Sequence, residues 1–178
     1  DIILEYWVKE DGTAAIMFSK DVSGKSPRDG YDVIMLDLVV PAEIDGHPVT
    51  EVAFHAFNGL QLSMYQLRTV TLPASVVWVD DLADPFDDLF NLEAILVEIG
   101  NPVYESRDGV LYNRQTGMLV CLPGGHPAEE YAIAEGTVAV APHAIEGEAL
   151  RVLHVPDSVT VFSDALACEH LEVLHLGA

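Results

Sequence analysis

The chain is poor in positive charge and in long apolar runs. Only 8 residues are Lys or Arg, against 29 Asp or Glu, so the formal net charge is −21. A surface this acidic repels phosphates, which excludes nucleic-acid binding, and it disfavours docking on anionic lipid. No apolar run approaches the roughly 18 residues that a membrane-spanning helix needs, so no membrane insertion is expected.

Cysteine is equally scarce. The two cysteines, Cys121 and Cys168, are too few for a disulfide framework. We expect both to behave as small buried hydrophobic residues. What the chain does contain is apolar material, since half of its 178 residues are hydrophobic. That is enough to build one domain or one short repeat array around a core.

The sequence repeats itself. LRTVTLP at 67–73 matches LRVLHVP at 150–156, and shorter copies stand at 92–97 (LEAILV) and 171–176 (LEVLHL). The alternation of each copy predicts a short strand whose last two leucine-type residues share one face. Proline then ends the strand because it cannot donate to a ladder. A second strand-like stretch follows at 76–79 and at 159–161.

Repeats of about 20–29 residues with this spacing predict a leucine-rich repeat solenoid. One unit cannot bury its apolar face alone, so successive units must stack. The pattern places one position of each unit in a single buried column. The residues of this predicted column are Leu72, Val97, Ile133, Val155 and Leu176.

Several longer segments resemble a known family. PAEIDGHPVTEV (41–52) followed by Ala56 and Phe57, LHVPDSV (153–159) and CEHL (168–171) resemble segments of BspA-like leucine-rich repeat proteins. The segment 101–123 resembles a hairpin insertion of that family. Ala144-Ile145 and Ala165-Leu166 depart from it, because Ala-Phe is usual there. The resemblance implies a non-enzymatic bacterial protein, secreted or on the cell surface, that acts as an adhesin or binding module. It implies no catalytic residue and no cofactor.

The predicted fold class is a β-rich α/β repeat, a right-handed leucine-rich repeat solenoid with short strands. Residues 1–36 are predicted to form an N-terminal β-hairpin cap and a connection, with Asp11-Gly12 as the hairpin turn. Residues 37–178 are predicted to form the solenoid, with the hairpin insertion at about 101–123. Because a strand is predicted at 171–176, we expect either that more chain follows or that this end packs against another molecule, such as a second copy.

The outward positions of the predicted sheet are nearly uncharged, although the protein is strongly acidic. Contiguous apolar surface of this kind often marks a partner site. We expect it to bind a protein or glycan ligand, including one derived from a host, with acidic edges that favour cationic partners. The alternatives are that the cap, the insertion or a neighbouring copy covers it. The predicted binding positions are Val39, Thr69, Thr71, Ala94, Leu96, Ala132, Val152, His154, Val173 and His175.

Two other functions remain open. The chain could be an assembly module that stacks through its open C-terminal end. It could also bind metal through His154 and His175, which occupy the same position in consecutive repeats and are expected roughly 5 Å apart on adjacent strands. Glu130 or Glu172 would then supply a carboxylate for zinc.

Other motifs are weaker. The acidic run Asp80, Asp81, Asp84, Asp87 and Asp88 carries hard oxygen ligands for calcium but lacks the order of an EF-hand loop, so a solvated turn is the simpler interpretation. Gly24-Lys25-Ser26 resembles the end of a phosphate-binding loop, yet Ser19 stands where the first glycine is required. No Gly-x-Ser-x-Gly elbow is present, and no enzyme is predicted.

Overall fold

The computed structural model describes residues 2–21, 32–54, 56–57, 65–80, 86 and 89–177. The segment Gly24–Ser26 and the acidic residues Asp81, Asp84, Asp87 and Asp88 lie outside this part. The strands are β1 (Ile2–Val8), β2 (Ala14–Asp21), β3 (Ile34–Val39), β4 (Glu43–Ile44), β5 (His47–Val52), β6 (Tyr65–Leu72), β7 (Trp78–Val79), β8 (Ala94–Val97), β9 (Tyr104–Arg107), β10 (Val110–Asn113), β11 (Met118–Cys121), β12 (Glu130–Ala132), β13 (Ala139–Val140), β14 (Val152–Val155) and β15 (Val173–Leu176).

The described residues form strands and turns without a helix, so the α part of the predicted α/β class is not found there. They accordingly include no helix long and apolar enough to cross a bilayer. The physical reason lies in the connections. After the first strand of a repeat the chain makes a single turn, as where Val76 N donates to Pro73 O at 3.2 Å and Val159 N donates to Pro156 O at 3.1 Å. One such bond fixes too few residues to nucleate a helix.

The N-terminal hairpin is confirmed. Strands β1 and β2 pair antiparallel, and Gly12 adopts the positive φ of 82° that the turn requires. Asp11 Oδ1 accepts hydrogen bonds from the backbone N and the hydroxyl of Thr13 at 2.9 and 2.7 Å. Strand β2 then pairs parallel with β5. The hairpin therefore continues the ladder of the repeats and does not stand apart from it.

Successive repeats pair in parallel at three places. The first strands form the sheets β3–β6–β8 and β12–β14–β15, and the second strands form β2–β5–β7 and β11–β13. The third is a row of single bridges, Leu122 to Ile145 to Leu166. Within the first sheets Leu72 lies beside Val97 and Val155 beside Leu176, while Ile133 N donates to His154 O at 3.0 Å. These residues thus stack in register within each sheet, but the two sheets are separate and Leu176 is 67% exposed, so the single buried column that the sequence predicts is not formed.

The segment predicted as a hairpin insertion is a three-stranded antiparallel meander, β9–β10–β11. It does not protrude, since β11 pairs parallel with β13 and extends the second ladder. Leu111 belongs to an N-terminal core with Ile95, whereas Val110 and Tyr112 belong to a C-terminal core. These three of the four residues of β10 are buried, so the meander is a wall with a hydrophobic core on each side.

A buried asparagine ties this wall to the N-terminal repeats. Asn101 is 1% exposed, and its amide nitrogen donates to the carbonyls of Pro73 and Val76 at 3.2 and 2.7 Å. Its amide oxygen accepts from the backbone N of Val103 and of Tyr104 at 2.9 and 2.7 Å. The side chain is thus fully satisfied. It joins the turn after β6 to the start of β9.

Two tyrosines add further ties. The Tyr104 hydroxyl accepts from Val79 N at 2.9 Å, at the end of the second ladder. On the other side of the wall the Tyr112 and Tyr131 hydroxyls are 2.8 Å apart in a buried pair. Burial raises the pKa of both phenols, and for Tyr131 the nearby Tyr112 raises it further.

The four bonds of Asn101 lead to the first prediction. We expect Asn101→Ala to lower the free energy of unfolding by about 3 kcal/mol, because buried backbone groups on both sides lose their partner. Urea unfolding followed by circular dichroism measures this. Asn91→Ala is the matched control, since Asn91 is exposed and its amide nitrogen donates to the side chain of Gln66. A loss no larger than that of the control would contradict the role given to Asn101.

The tyrosine pair leads to a second prediction, on pH. An unfolded tyrosine deprotonates near pH 10, whereas Tyr112 and Tyr131 hold their protons to higher pH in the folded state. Their contribution is therefore complete below about pH 10 and is lost as the pH rises further. We expect the double variant Tyr112→Phe, Tyr131→Phe to lose stability less steeply above that pH, as measured by urea unfolding at a series of pH values. An unchanged slope would show that other groups cause the alkaline loss.

Candidate functional site

The outward surface of the sheet β12–β14–β15, here called the C-terminal face, holds five of the predicted binding positions. The strand register aligns them in two rows that cross the sheet. The inward rows between them are anchored by Leu153 and Val155, which are 0% and 6% exposed. The backbone of β14 is therefore held by the core, whereas the inward residues of β15, Leu174 and Leu176, are 39% and 67% exposed. The two outward rows are Glu130, Val152 and Val173, and Ala132, His154 and His175.

The two histidines form the centre of this face. Their register on β14 and β15 is as predicted, and their rings stack with centroids 4.5 Å apart and planes 12° apart. The predicted separation is confirmed. His154 Nε2 is 2.7 Å from the Glu130 carboxylate, so one of the two predicted carboxylate partners is in reach. The three side chains form a line across the sheet from β12 to β15.

The arrangement of these three side chains does not fit a metal site. Zinc sites in proteins use at least three side-chain ligands, arranged to leave a tetrahedral geometry. In the described part of the chain no three His, Cys, Asp or Glu side chains are grouped so that they could hold a metal ion. The stacked rings also turn their faces, and not their nitrogen atoms, toward each other. The geometry does not support the zinc alternative.

An open cleft of about 400 Å³ lies at the carboxyl ends of these strands. Its polar lining comes from the two histidines and from Glu135 and Asp157, which follow β12 and β14. Sequence analysis did not single out these two carboxylates, although each comes within three residues of the end of a repeat strand. Carboxylates and the ring nitrogens of imidazoles can accept hydrogen bonds, and carboxylates favour positive charge. The cleft is thus suited to a cationic polar ligand.

The other predicted positions lie on the sheet β3–β6–β8, here called the first-sheet face. Thr69 and Ala94 share a row with Asp37, and Thr71 and Leu96 share a row with Val39. Leu96 is 41% exposed and Val39 is 61% exposed. The sequence predicts a nearly uncharged face, but this one also carries the charged residue Asp37.

An exposed ion pair crosses this face. Arg68 is the extra residue of a β-bulge, and its Nε donates to Asp37 Oδ1 at 2.9 Å. A second guanidinium nitrogen bonds the other carboxylate oxygen, and the Thr69 hydroxyl donates to Oδ1 at 2.8 Å. These bonds, those of Arg68 first, lower the pKa of Asp37 to about 2. Sequence alternation alone did not reveal the bulge that places Arg68 here.

The predicted stripe is therefore two separate faces. The meander interrupts the sheet after β8, where Ile95 N donates to Gly109 O at 2.8 Å and Ser106 Oγ donates to Ile95 O at 2.6 Å. Gly109 has φ 83°, and a Cβ there would lie only 2.9 Å from the Cβ of Ala94. Close packing at this turn needs glycine. The insertion separates the two faces and leaves residues of both exposed, among them Leu96 and Val173.

The cysteines form no candidate site. Cys121 is buried in the N-terminal core, as expected of a small hydrophobic residue. Cys168 is half-buried, and its thiol donates to Ile145 O at 3.1 Å. Burial, with a smaller effect of Glu146, raises the pKa of the Cys168 thiol to about 11. A thiol that stays protonated at neutral pH is a poor nucleophile.

The chain matches known proteins in its structure. No family model and no curated protein matches the sequence. Solved structures do match. A leucine-rich cell-surface protein from Faecalibacterium prausnitzii A2-165 is 17% identical with a TM-score of 0.57, over 79% of this chain and 41% of that one. A leucine-rich repeat protein from Eubacterium ventriosum ATCC 27560 is 14% identical with a TM-score of 0.54, over 97% of this chain and 70% of that one.

A third match is the pneumococcal vaccine antigen PcpA, which is 20% identical with a TM-score of 0.50. The match covers 79% of this chain and 39% of that one, so the chain spans about two fifths of the length of this antigen and of the Faecalibacterium protein. Likeness at such low identity concerns the fold. The chain therefore has the fold of bacterial leucine-rich repeat cell-surface proteins, the BspA-like type that its sequence motifs resemble.

Proposed function

We propose that this chain is a non-catalytic binding scaffold of a bacterial cell-surface or secreted protein, and that its C-terminal face binds a protein segment that carries positive charge. The scaffold is a leucine-rich repeat solenoid, right-handed as parallel connections between neighbouring strands almost always are. The surface location is supported by the matched structures, one of which is named a leucine-rich cell-surface protein and another a vaccine antigen.

The observation that carries the proposal is the cleft at the ends of β12, β14 and β15. Glu135 and Asp157 line it beside the stacked histidines, and one of these histidines, His154, also contacts the Glu130 carboxylate. The net charge of −21 adds a long-range attraction for basic partners. His154 stands on β14, whose inward side chains Leu153 and Val155 are buried, so binding orders little of that strand and costs little entropy there.

A peptide array tests this proposal. The probes are lysine-rich, neutral and glutamate-rich peptides, and binding is measured by interferometry. We expect the lysine-rich peptides to bind, and binding to weaken as salt rises from about 0.1 to about 1 M, because the Debye length falls from about 10 to about 3 Å. The double variant Glu135→Gln, Asp157→Asn should bind about fivefold more weakly, since each exposed ion pair contributes modestly.

The matched control is Asp32→Asn, Glu43→Gln. It removes the same two kinds of carboxylate from exposed positions far from the C-terminal face and changes the net charge equally. If both double variants lose the same affinity, the attraction is a property of the whole acidic surface and the cleft is not the site. If no basic peptide binds the unaltered protein, the proposed partner class is wrong.

A second function is favoured by a different observation. Leu174 and Leu176 occupy inward positions of β15, yet they are 39% and 67% exposed. Strand β15 is also the outermost of its sheet among the described strands. Such an edge can accept another strand, either of further repeats or of a second copy. Stacking through this end would make the chain an assembly module.

Light scattering over a range of concentrations separates the two functions. An assembly module forms dimers or larger species, and Leu176→Lys returns them to monomers. Leu96→Lys is the control, because it places the same charge on an exposed leucine of the first-sheet face. A protein that stays monomeric at all concentrations does not assemble through copies of itself.

A further inference from the structure

The only two tryptophans of the chain lie in one row of the N-terminal sheet. Trp7 on β1 pairs with Ala15 on β2, Ala15 pairs with Glu51 on β5, and Glu51 pairs with Trp78 on β7. Residues paired directly across strands point to the same side of a sheet. The four side chains therefore share one surface, here called the tryptophan row.

This surface faces outward. The neighbouring row of the same strands contains Ile16, Val52 and Val79, which are 0%, 0% and 1% exposed and belong to the N-terminal core. Because successive side chains alternate between the faces of a strand, the tryptophan row must face solvent. Trp7 is 66% exposed and Trp78 is 51% exposed. Two large indoles are thus held in water at the two ends of a rigid row.

The centre of the row consists of a small side chain, Ala15, and a charged one, Glu51, between the two large indoles. Ala15 is 3% exposed and forms the floor. Lys9 Nζ lies 3.1 Å from Glu51 Oε2, in an ion pair whose two side chains remain 35% and 25% exposed. Together with Trp7 and Met17 these residues line an open groove of about 490 Å³. The groove offers ammonium donors and carboxylate acceptors beside an aromatic surface.

We propose that the tryptophan row is a binding site for a neutral oligosaccharide. The C–H faces of pyranose rings pack against indole rings, and the hydroxyls at the ring edges exchange hydrogen bonds with charged side chains such as Lys9 and Glu51. Three strand steps of about 4.8 Å separate β1 from β7, so the indoles are anchored about 14 Å apart, the length of about three pyranose units. One chain can contact both.

The charges argue for this ligand over others. Nucleic-acid bases also stack on tryptophan, but a protein of net charge −21 repels their phosphates, and it repels acidic polysaccharides for the same reason. An apolar protein surface placed over the row would desolvate the ion pair of Lys9 and Glu51, which is costly. Sugar hydroxyls instead replace the hydrogen bonds that water makes to these groups.

The shape of the sheet narrows the ligand further. Adjacent strands are rotated by about 20° relative to each other, and the rotation accumulates from β1 to β7. The two indoles therefore do not present one flat plane. A single flexible saccharide chain can follow this twist, whereas the flat face of a crystalline polysaccharide cannot. The site is separate from the C-terminal face, so the proposal does not depend on the function proposed above.

The test is an array of neutral oligosaccharides, from disaccharides to hexasaccharides, followed by fluorescence titration with the best hexasaccharide. Because the chain has no other tryptophan, its tryptophan emission reports on this row alone. We expect binding to shift the emission, and expect Trp7→Ala and Trp78→Ala each to weaken hexasaccharide binding by at least about tenfold, as truncation of a central aromatic contact does. In either variant the hexasaccharide should bind no better than the disaccharide, which reaches one indole only.

Phe90→Ala is the matched control, since Phe90 is 52% exposed and lies outside the row. It should leave binding unchanged. Far-ultraviolet circular dichroism checks that the variants fold, and Trp7→Phe and Trp78→Phe, which keep an aromatic ring, should retain part of the affinity. The proposal is overturned if no neutral oligosaccharide binds the unaltered protein. It is equally overturned if the hexasaccharide keeps its advantage in both alanine variants.

Discussion

A strand that is covered on both faces has no access to water, so every polar group of its backbone must find a partner in the protein. Strand β10 is in this position, because Val110 and Leu111 point into different cores. Its antiparallel neighbours β9 and β11 satisfy it on both edges. The side chains of Asn101 and Tyr104 then serve the backbone of the adjoining repeats. The meander lies between the two stacks of repeat strands, because the sheet β3–β6–β8 ends before it and the sheet β12–β14–β15 begins after it.

The wall also divides the outward surface of the repeats. A regular solenoid would present one long sheet, but here the first strands form two sheets with the meander between them. Each sheet has its own chemistry. The first-sheet face carries the ion pair of Asp37 and Arg68, and the C-terminal face carries the stacked histidines beside carboxylates. The N-terminal sheet adds the tryptophan row. The two proposed binding surfaces therefore lie on separate sheets.

Local patterns were sufficient to predict part of this structure. The Asp11-Gly12 turn predicted the hairpin, and the repeated LHV and LHL segments predicted the register that pairs His154 with His175. The wall could not be predicted, because Val110, Leu111 and Tyr112 are all apolar and no alternation shows that both faces are buried. The tryptophan row depends on the pairing of β2 with β5, which are distant in sequence. The position of Arg68 depends on a bulge that has no signature of its own.

The sharing of one strand between two cores has a consequence for how the molecule opens. In a simple repeat array each unit contacts only its neighbours, so the array can fray from either end one unit at a time. Here the loss of either half uncovers one face of β10, and the strand remains protected by the other. Its amides can exchange with solvent only when both halves open together. Strand β10 should therefore be the slowest part of the molecule in hydrogen exchange, with an opening free energy close to that of global unfolding.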